Sequence, residues 1–192
     1  MRNWLAGALA VVLLGACAQT PLPPQSHPEL TFSHLKPIAL NVATIEISDE
    51  TRQPSLSDKE NEISYRFPTS PKKAMQNWVR DRLVATGTTG SAVVILESAY
   101  AVEEKLQIKD GISGVFTTDQ SEKYTTDVKA RIEIRDENFR VKSTASGQAH
   151  RSSTVSEDIS LYDRESSWVM LVEKMMDDFD KVMVENMSKY LN

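Results

Sequence analysis

The chain has 192 residues, is 40% hydrophobic and carries a formal net charge of −5. That is enough apolar material for one core, in one domain plus a short appendage. The acidic balance argues against a basic nucleic-acid surface and against attraction to an anionic membrane by charge.

The first residues have the three parts of a secretory signal: Arg2, an apolar run from Leu5 to Leu14, and small Gly15 and Ala16. The run is about ten residues, short of the roughly 20 needed to span a bilayer as a helix. The only cysteine, Cys17, follows at once. Leu14-Gly15-Ala16-Cys17 resembles the lipobox of bacterial lipoproteins. The resemblance implies cleavage before Cys17 and acylation of its thiol and amine. With about 0.8 kcal/mol per buried methylene, two or three chains anchor stably where one does not. Ala18 stands where an aspartate favours inner-membrane retention in that family, which implies the outer membrane. The competing reading is an ordinary signal with a cysteine near the cut by chance. A lone free thiol is unusual in an oxidising compartment, and this favours the lipid. The expected divisions are a signal at 1–16, a lipidated cysteine and proline-rich tether at 17–36, and one periplasmic domain at 37–192.

Pro21, Pro23, Pro24 and Pro28 precede Pro37. Proline fixes φ and removes a donor, so Ala18 to Lys36 reads as extended, reaching at most roughly 60 Å at about 3.1 Å per residue. His27 and His34 fall here. They read as solvated linker side chains, because a metal site needs further ligands.

In the domain, Ile38, Leu40 and Val42 alternate, then Ile45 and Ile47 alternate in the other phase. This predicts one strand with a bulge near Ala43-Thr44. Asp49 to Tyr65 is polar and reads as a surface loop. Ser70-Pro71 marks a helix start, followed by Met75, Trp78, Val79 and Leu83 at helical spacing. Gly87 reads as the helix stop and Trp78 as a core anchor. Ala92 to Val102 is apolar on both faces around Val93-Val94-Ile95-Leu96, which predicts a central strand.

Glu103 to Lys123 is polar but carries Gly111-Ile112-Ser113-Gly114-Val115-Phe116. One reading is a hairpin loop folded back on the domain. The other is an exposed tip at Ile112, Val115 and Phe116 that contacts a partner or membrane. Tyr124 to Arg135 alternates strictly, with Tyr124, Thr126, Val128, Ala130, Ile132 and Ile134 on one face. Asp136-Glu137-Asn138 turns the chain, and Phe139 to Val155 continues in the same style. Its inward side becomes small through Ser143, Ala145, Gly147 and Ala149; His150 falls on the wet face. From Ser160 a helix runs toward Tyr190, with Trp168, Leu171, Val172, Met175, Phe179, Val182 and Met183 as its stripe. At 1.5 Å per residue it reaches about 45 Å, longer than a small sheet is wide, so part of it is expected to project, kink or meet a partner. Its methionines read as core filler or as an adaptable binding face.

The expected class is α+β: a two-layer sandwich of a roughly four-stranded, mainly antiparallel sheet with two helices on one face, in the order β-α-β-β-β-α. With the lipobox and size, this order resembles small lipid-anchored α+β domains of the bacterial envelope, including the lipopolysaccharide-assembly lipoprotein. The resemblance implies a non-enzymatic accessory or structural role through protein contacts with an envelope partner. The alternative is a lipid or small-ligand module with a groove above Ser143, Ala145, Gly147 and Ala149. Catalysis needs a constellation of groups in one cleft; Glu103-Glu104 and Asp177-Asp178 are sequence neighbours that diverge in space, and read as solvated charge. No catalytic residue, cofactor or metal is expected.

Overall fold

The computed structural model describes residues 27–58, 60–106, 120–156 and 158–190. The protein is α+β, with two helices, a mixed five-stranded sheet and a small parallel sheet. Strands β5 (Ser91–Lys105), β6 (Gln120–Arg135) and β7 (Val141–Ser156) form an antiparallel meander, numbered after four shorter strands upstream. Strand β2 (Thr44–Asp49) runs parallel to the first half of β5, from Thr44↔Ser91 to Asp49↔Leu96. Strand β3 (Glu60–Glu62) runs antiparallel to its second half. Strands β1 (Ile38–Leu40) and β4 (Leu83–Ala85) form the separate parallel pair. Parallel neighbours need a crossover, and helix α1 (Pro71–Arg82) supplies it.

The expected order and the four-stranded, mainly antiparallel sheet are therefore corrected. The phase change near Ala43-Thr44 is not a bulge. It is where the chain leaves one sheet for the other, across residues 41–43. Ala43 N–H donates there to the Thr89 carbonyl at 3.1 Å, and Gly87 N–H to the Val42 carbonyl at 3.0 Å. Gly87 does not end the helix. Helix α1 stops at Arg82, and the chain passes directly into β4. Gly87 is small because a Cβ there would lie 2.7 Å from the backbone of Asn41 and Val42. The long loop expected from Asp49 is interrupted by β3 and by a short 3₁₀ turn at Ser64–Arg66.

Ser70 caps α1 as read, accepting from the Lys73 N–H at 3.2 Å, with Pro71 in the first turn. Trp78 is fully buried against Phe179 in an edge-on contact at 5.2 Å. Helix α2 (Leu161–Tyr190) lies along β7. The expected overhang is absent because the length to match is that of a strand. Sixteen residues at about 3.3 Å span roughly 50 Å. The small inward stretch of β7 lets α2 approach: a Cβ on Gly147 would meet Phe179 at 3.2 Å and Met183 at 3.3 Å. Met175, Met176, Met183 and Met187 are buried core filler, whereas Met170 is exposed.

The inward face of the sheet and both helices share one core, including Ala92, Val94, Leu96, Val128, Ala130, Ile132, Trp78 and Phe179. Each large apolar side chain buried there is worth about 1.5–3 kcal/mol. A register shift between Leu96 and Ser98 restores the inward phase at Ala99 and Ala101. The helices are also tied by a polar bond. Asp180 accepts from Trp78 Nε1 at 2.7 Å and from Arg82 Nε and Nη2 at 2.7 and 3.1 Å.

Val93 and Ile95, on the outward face of β5, are buried too, as expected of a strand with neighbours on both sides. Their cross-strand partners include Glu133 and Arg131. Arg131 bonds Glu97 and Glu133, and Lys129 reaches Glu97 at 2.8 Å. These cations, Lys129 first, hold the Glu97 carboxyl below its usual range; Arg135 and Arg131 do the same for Glu133.

Candidate functional site

Cys17, Ile112, Val115 and Phe116 lie outside the described residues. What the structure places is the start of the described chain at His27, and the strands β5 and β6 that flank residues 107–119 in the chain. Both are at one end of the domain. Leu106 N–H donates to the Ser121 carbonyl at 2.8 Å, so the strands are still paired where the connection begins. β6 starts opposite the end of β7, at Gln120↔Ser156, and α2 follows shortly after. Glu122 at the base of β6 pairs with Arg164 in the first turns of α2 at 3.2 Å. Beside Arg164, Glu165 lies 3.5 Å from His27 Nε2, and the His27 ring stacks on Tyr162 at 5.4 Å.

His27 to Lys36, read from proline content as an extended stretch clear of the domain, is instead seated on it. Phe32 is only 2% exposed, and Leu30 and Leu35 pack against the same core. The Phe32 N–H donates to Asp81 at 2.8 Å, and Asn77 donates to the Leu30 carbonyl at 2.9 Å. The His27 side chain is 10% exposed, so it is not a solvated linker residue. The reason is local: Leu30, Phe32 and Leu35 give a proline-bounded stretch enough apolar surface to dock.

At the same end, Trp168 is sandwiched into an aromatic and charged cluster. It stacks on Phe67 at 4.8 Å, meets the edge of Tyr124 at 5.3 Å, and carries the Arg66 guanidinium 5.4 Å above its ring. Arg66 pairs with Glu103 at 3.4 Å. The Tyr124 hydroxyl lies between Glu103 and Glu122. Burial, reinforced by Glu122, pushes its pKa well above that of a free phenol. Two donors in this cluster, Trp168 Nε1 and Arg164 Nε, are buried and meet no acceptor. Glu103, read as solvated charge, is buried instead. It lies in phase with Ala99 and Ala101, which point inward, and that register was the available signal.

The opposite end carries the β6–β7 turn. Asp136 accepts from the N–H groups of Asn138 and Arg140, each at 2.9 Å. The Phe139 N–H donates to the Asp136 carbonyl at 2.9 Å. This closes the turn with Phe139 at a φ of 60°, among the described residues the only positive value outside glycine. Phe139 is 79% exposed, and Val141 is also exposed. A bulky residue in this region is strained. It borders a cleft of about 340 Å³ lined by Glu46, Gly90, Val93, Arg135 and Glu137.

His150 is exposed, as read. Its Nδ1 is 4.0 Å from Asp127, whose buried carboxylate also accepts from Ser98 and from Gln148 at 3.1 Å. Serine and histidine both approach the carboxylate, whereas a nucleophilic triad needs the histidine between serine and acid. Among the described residues no group of three His, Cys, Asp or Glu is placed to hold a metal ion. None of their helices is long and apolar enough to cross a membrane. In the stretch Ser143, Ala145, Gly147 and Ala149, the space above Gly147 is taken by Phe179 and Met183. No family model matches the chain, and no curated protein matches its sequence.

Proposed function

We propose that the protein is a lipid-anchored, non-enzymatic accessory lipoprotein of the bacterial envelope, held at the outer membrane through Cys17 with its domain in the periplasm and working through contacts with an envelope protein. The observation that carries this reading is the run from Leu5 to Leu14 ending in Leu14-Gly15-Ala16-Cys17. The fold supports it with a direction. The chain that leads back to Cys17 joins the domain at the end that also carries the 107–119 connection. Ile112, Val115 and Phe116 are the contact residues in this reading. The strained, exposed Phe139 sits roughly 50 Å from that end of the domain, the length of β6 at about 3.3 Å per residue.

Labelling cells with a clickable palmitate analogue tests the anchor. The native chain takes the label and fractionates with the outer membrane. Cys17→Ser takes none and is recovered as a folded, released domain. A Cys17→Ser chain that stays membrane-bound overturns the reading. Photocrosslinking in cells from positions 112, 115 and 116 then captures the envelope protein; recovery of no adduct from any of the three removes that loop as the contact.

A further inference from the structure

Strand β7 is the last strand of the sheet, and among the described residues nothing pairs with its outer edge. An open edge is a row of free N–H and C=O groups that templates another strand. Proteins ordinarily shorten, bulge or cover it. Here it is sixteen residues long, and its register with β6 is unbroken from Ser143 to Val155.

One side-chain contact shows which groups are free. Asn186 on α2 donates from Nδ2 to the Ser146 carbonyl at 2.7 Å. Ser146 therefore directs its backbone away from β6. In an antiparallel ladder N–H and C=O of every second residue point the same way, so Thr144, Gln148, His150 and Ser152 do likewise. Asn186 occupies the place of a neighbouring strand's N–H. It sits on a flank of α2 with Asp178 and Val182, each one turn apart. Asp178 pairs with Arg151 of β7 at 2.7 Å, and Val182 is exposed. The flank thus borders the edge and touches it at Ser146 and Arg151.

We propose that this edge binds an extended polypeptide segment of another protein, which adds to the sheet beside β7 as a sixth strand. Free backbone groups at strand spacing recognise another backbone rather than a lipid or a sugar. The side chains at Thr144, Ser146 and Gln148 are uncharged and impose no repulsion. A second copy of the chain does not fit. Pairing β7 with β7 would bring two α2 helices, each lying along its own β7, to a strand spacing of about 4.8 Å, whereas packed helices need about 8–10 Å. The proposal stands independently of the lipid anchor.

Residue-resolved hydrogen exchange on the purified full-length chain tests it. The probe is a synthetic peptide with the sequence of residues 121–135, which carries the alternation β7 already accepts from β6. Without peptide, the amides of Thr144, Gln148 and His150 should exchange at least about tenfold faster than those of Ala145, Gly147 and Ala149. With peptide, they should slow by a similar factor. Asn186→Ala uncovers the Ser146 carbonyl and should tighten peptide binding about two- to tenfold, the worth of one net hydrogen bond. Gln148→Pro removes an outward N–H and no backbone bond to β6, together with the side-chain bond to Asp127, and should weaken binding by as much; its melting curve reports whether it folds. Equal exchange of the two sets in the free chain, or a peptide that protects none of these amides, overturns the proposal. Protection that appears without peptide and follows protein concentration also overturns it, because the occupant is then a second copy.

Discussion

Replacing Phe139 by alanine and, separately, by glycine isolates the strain in the β6–β7 turn. Both variants lose the same aromatic ring, so whatever surface it covers cancels between them. What differs is the backbone. The left-handed conformation costs an L-residue about 1–2 kcal/mol. Glycine escapes that, but its freer unfolded chain returns about 0.5–1 kcal/mol. The balance makes Phe139→Gly more stable than Phe139→Ala by about 1 kcal/mol. For a chain of this size that is roughly 2–4 °C in melting temperature. Urea titration at 25 °C, with both variants and the native chain measured side by side, resolves it. The native side chain is 79% exposed, so the glycine variant should remain close to the native chain. A Phe139→Ala variant as stable as Phe139→Gly would mean that the turn does not hold φ near 60°, and the argument from strain would fail.

Asp180→Ala removes the acceptor shared by Trp78 and Arg82 and leaves a nearly buried guanidinium unpaired, which should cost about 3 kcal/mol in urea unfolding. Gly87→Ala drives a Cβ into rigid backbone and should cost about 2 kcal/mol or more, while Gly147→Ala meets the ends of Phe179 and Met183 and should cost about 1 kcal/mol; thermal melts of the pair rank them. Asp49 is hydrogen-bonded first by Lys72 and then by Thr51, which lowers its pKa from 3.8 to about 2. Because the folded value lies below the unfolded one, this contribution is complete above about pH 4 and is lost as pH falls toward 2. The pair is exposed, so the effect is small: Lys72→Ala should flatten the stability profile slightly between pH 4 and 2 and leave its shape above pH 5 unchanged, read from urea midpoints across that range.

The parts of the fold legible in the sequence are those fixed by neighbours in sequence. Ser70-Pro71 caps α1 through bonds within one turn. The alternation from Tyr124 to Ile134 states which face is wet, and the shrinking series from Ser143 to Ala149 states where a helix comes close. The strands β3 and β4 were not legible, because three residues carry no period and are strands only by virtue of their partners; β1 was legible as strand from Ile38, Leu40 and Val42, but not as separate from β2. The parallel pairing of β2 with β5 was equally hidden, since hydrophobic alternation does not record strand direction. The cluster around Trp168 draws Arg66, Glu103, Tyr124 and Arg164 from four separate segments; Tyr124 and Trp168 were legible as inward residues, whereas Glu103 reads as solvated charge even though it falls in phase with Ala99 and Ala101. The docking of His27 to Lys36 was missed because four prolines weighed more in the reading than Leu30, Phe32 and Leu35.

That docking also orders events in time. Phe32 needs Asp81 of α1, and His27 needs Tyr162 and Glu165 of α2. Strand β2 likewise waits for β5, while β5, β6 and β7 close as successive hairpins. A chain made from its N-terminus thus secures its first described residues only when its final helix exists. Whatever acts on the chain ahead of His27 during synthesis meets it before the domain has closed.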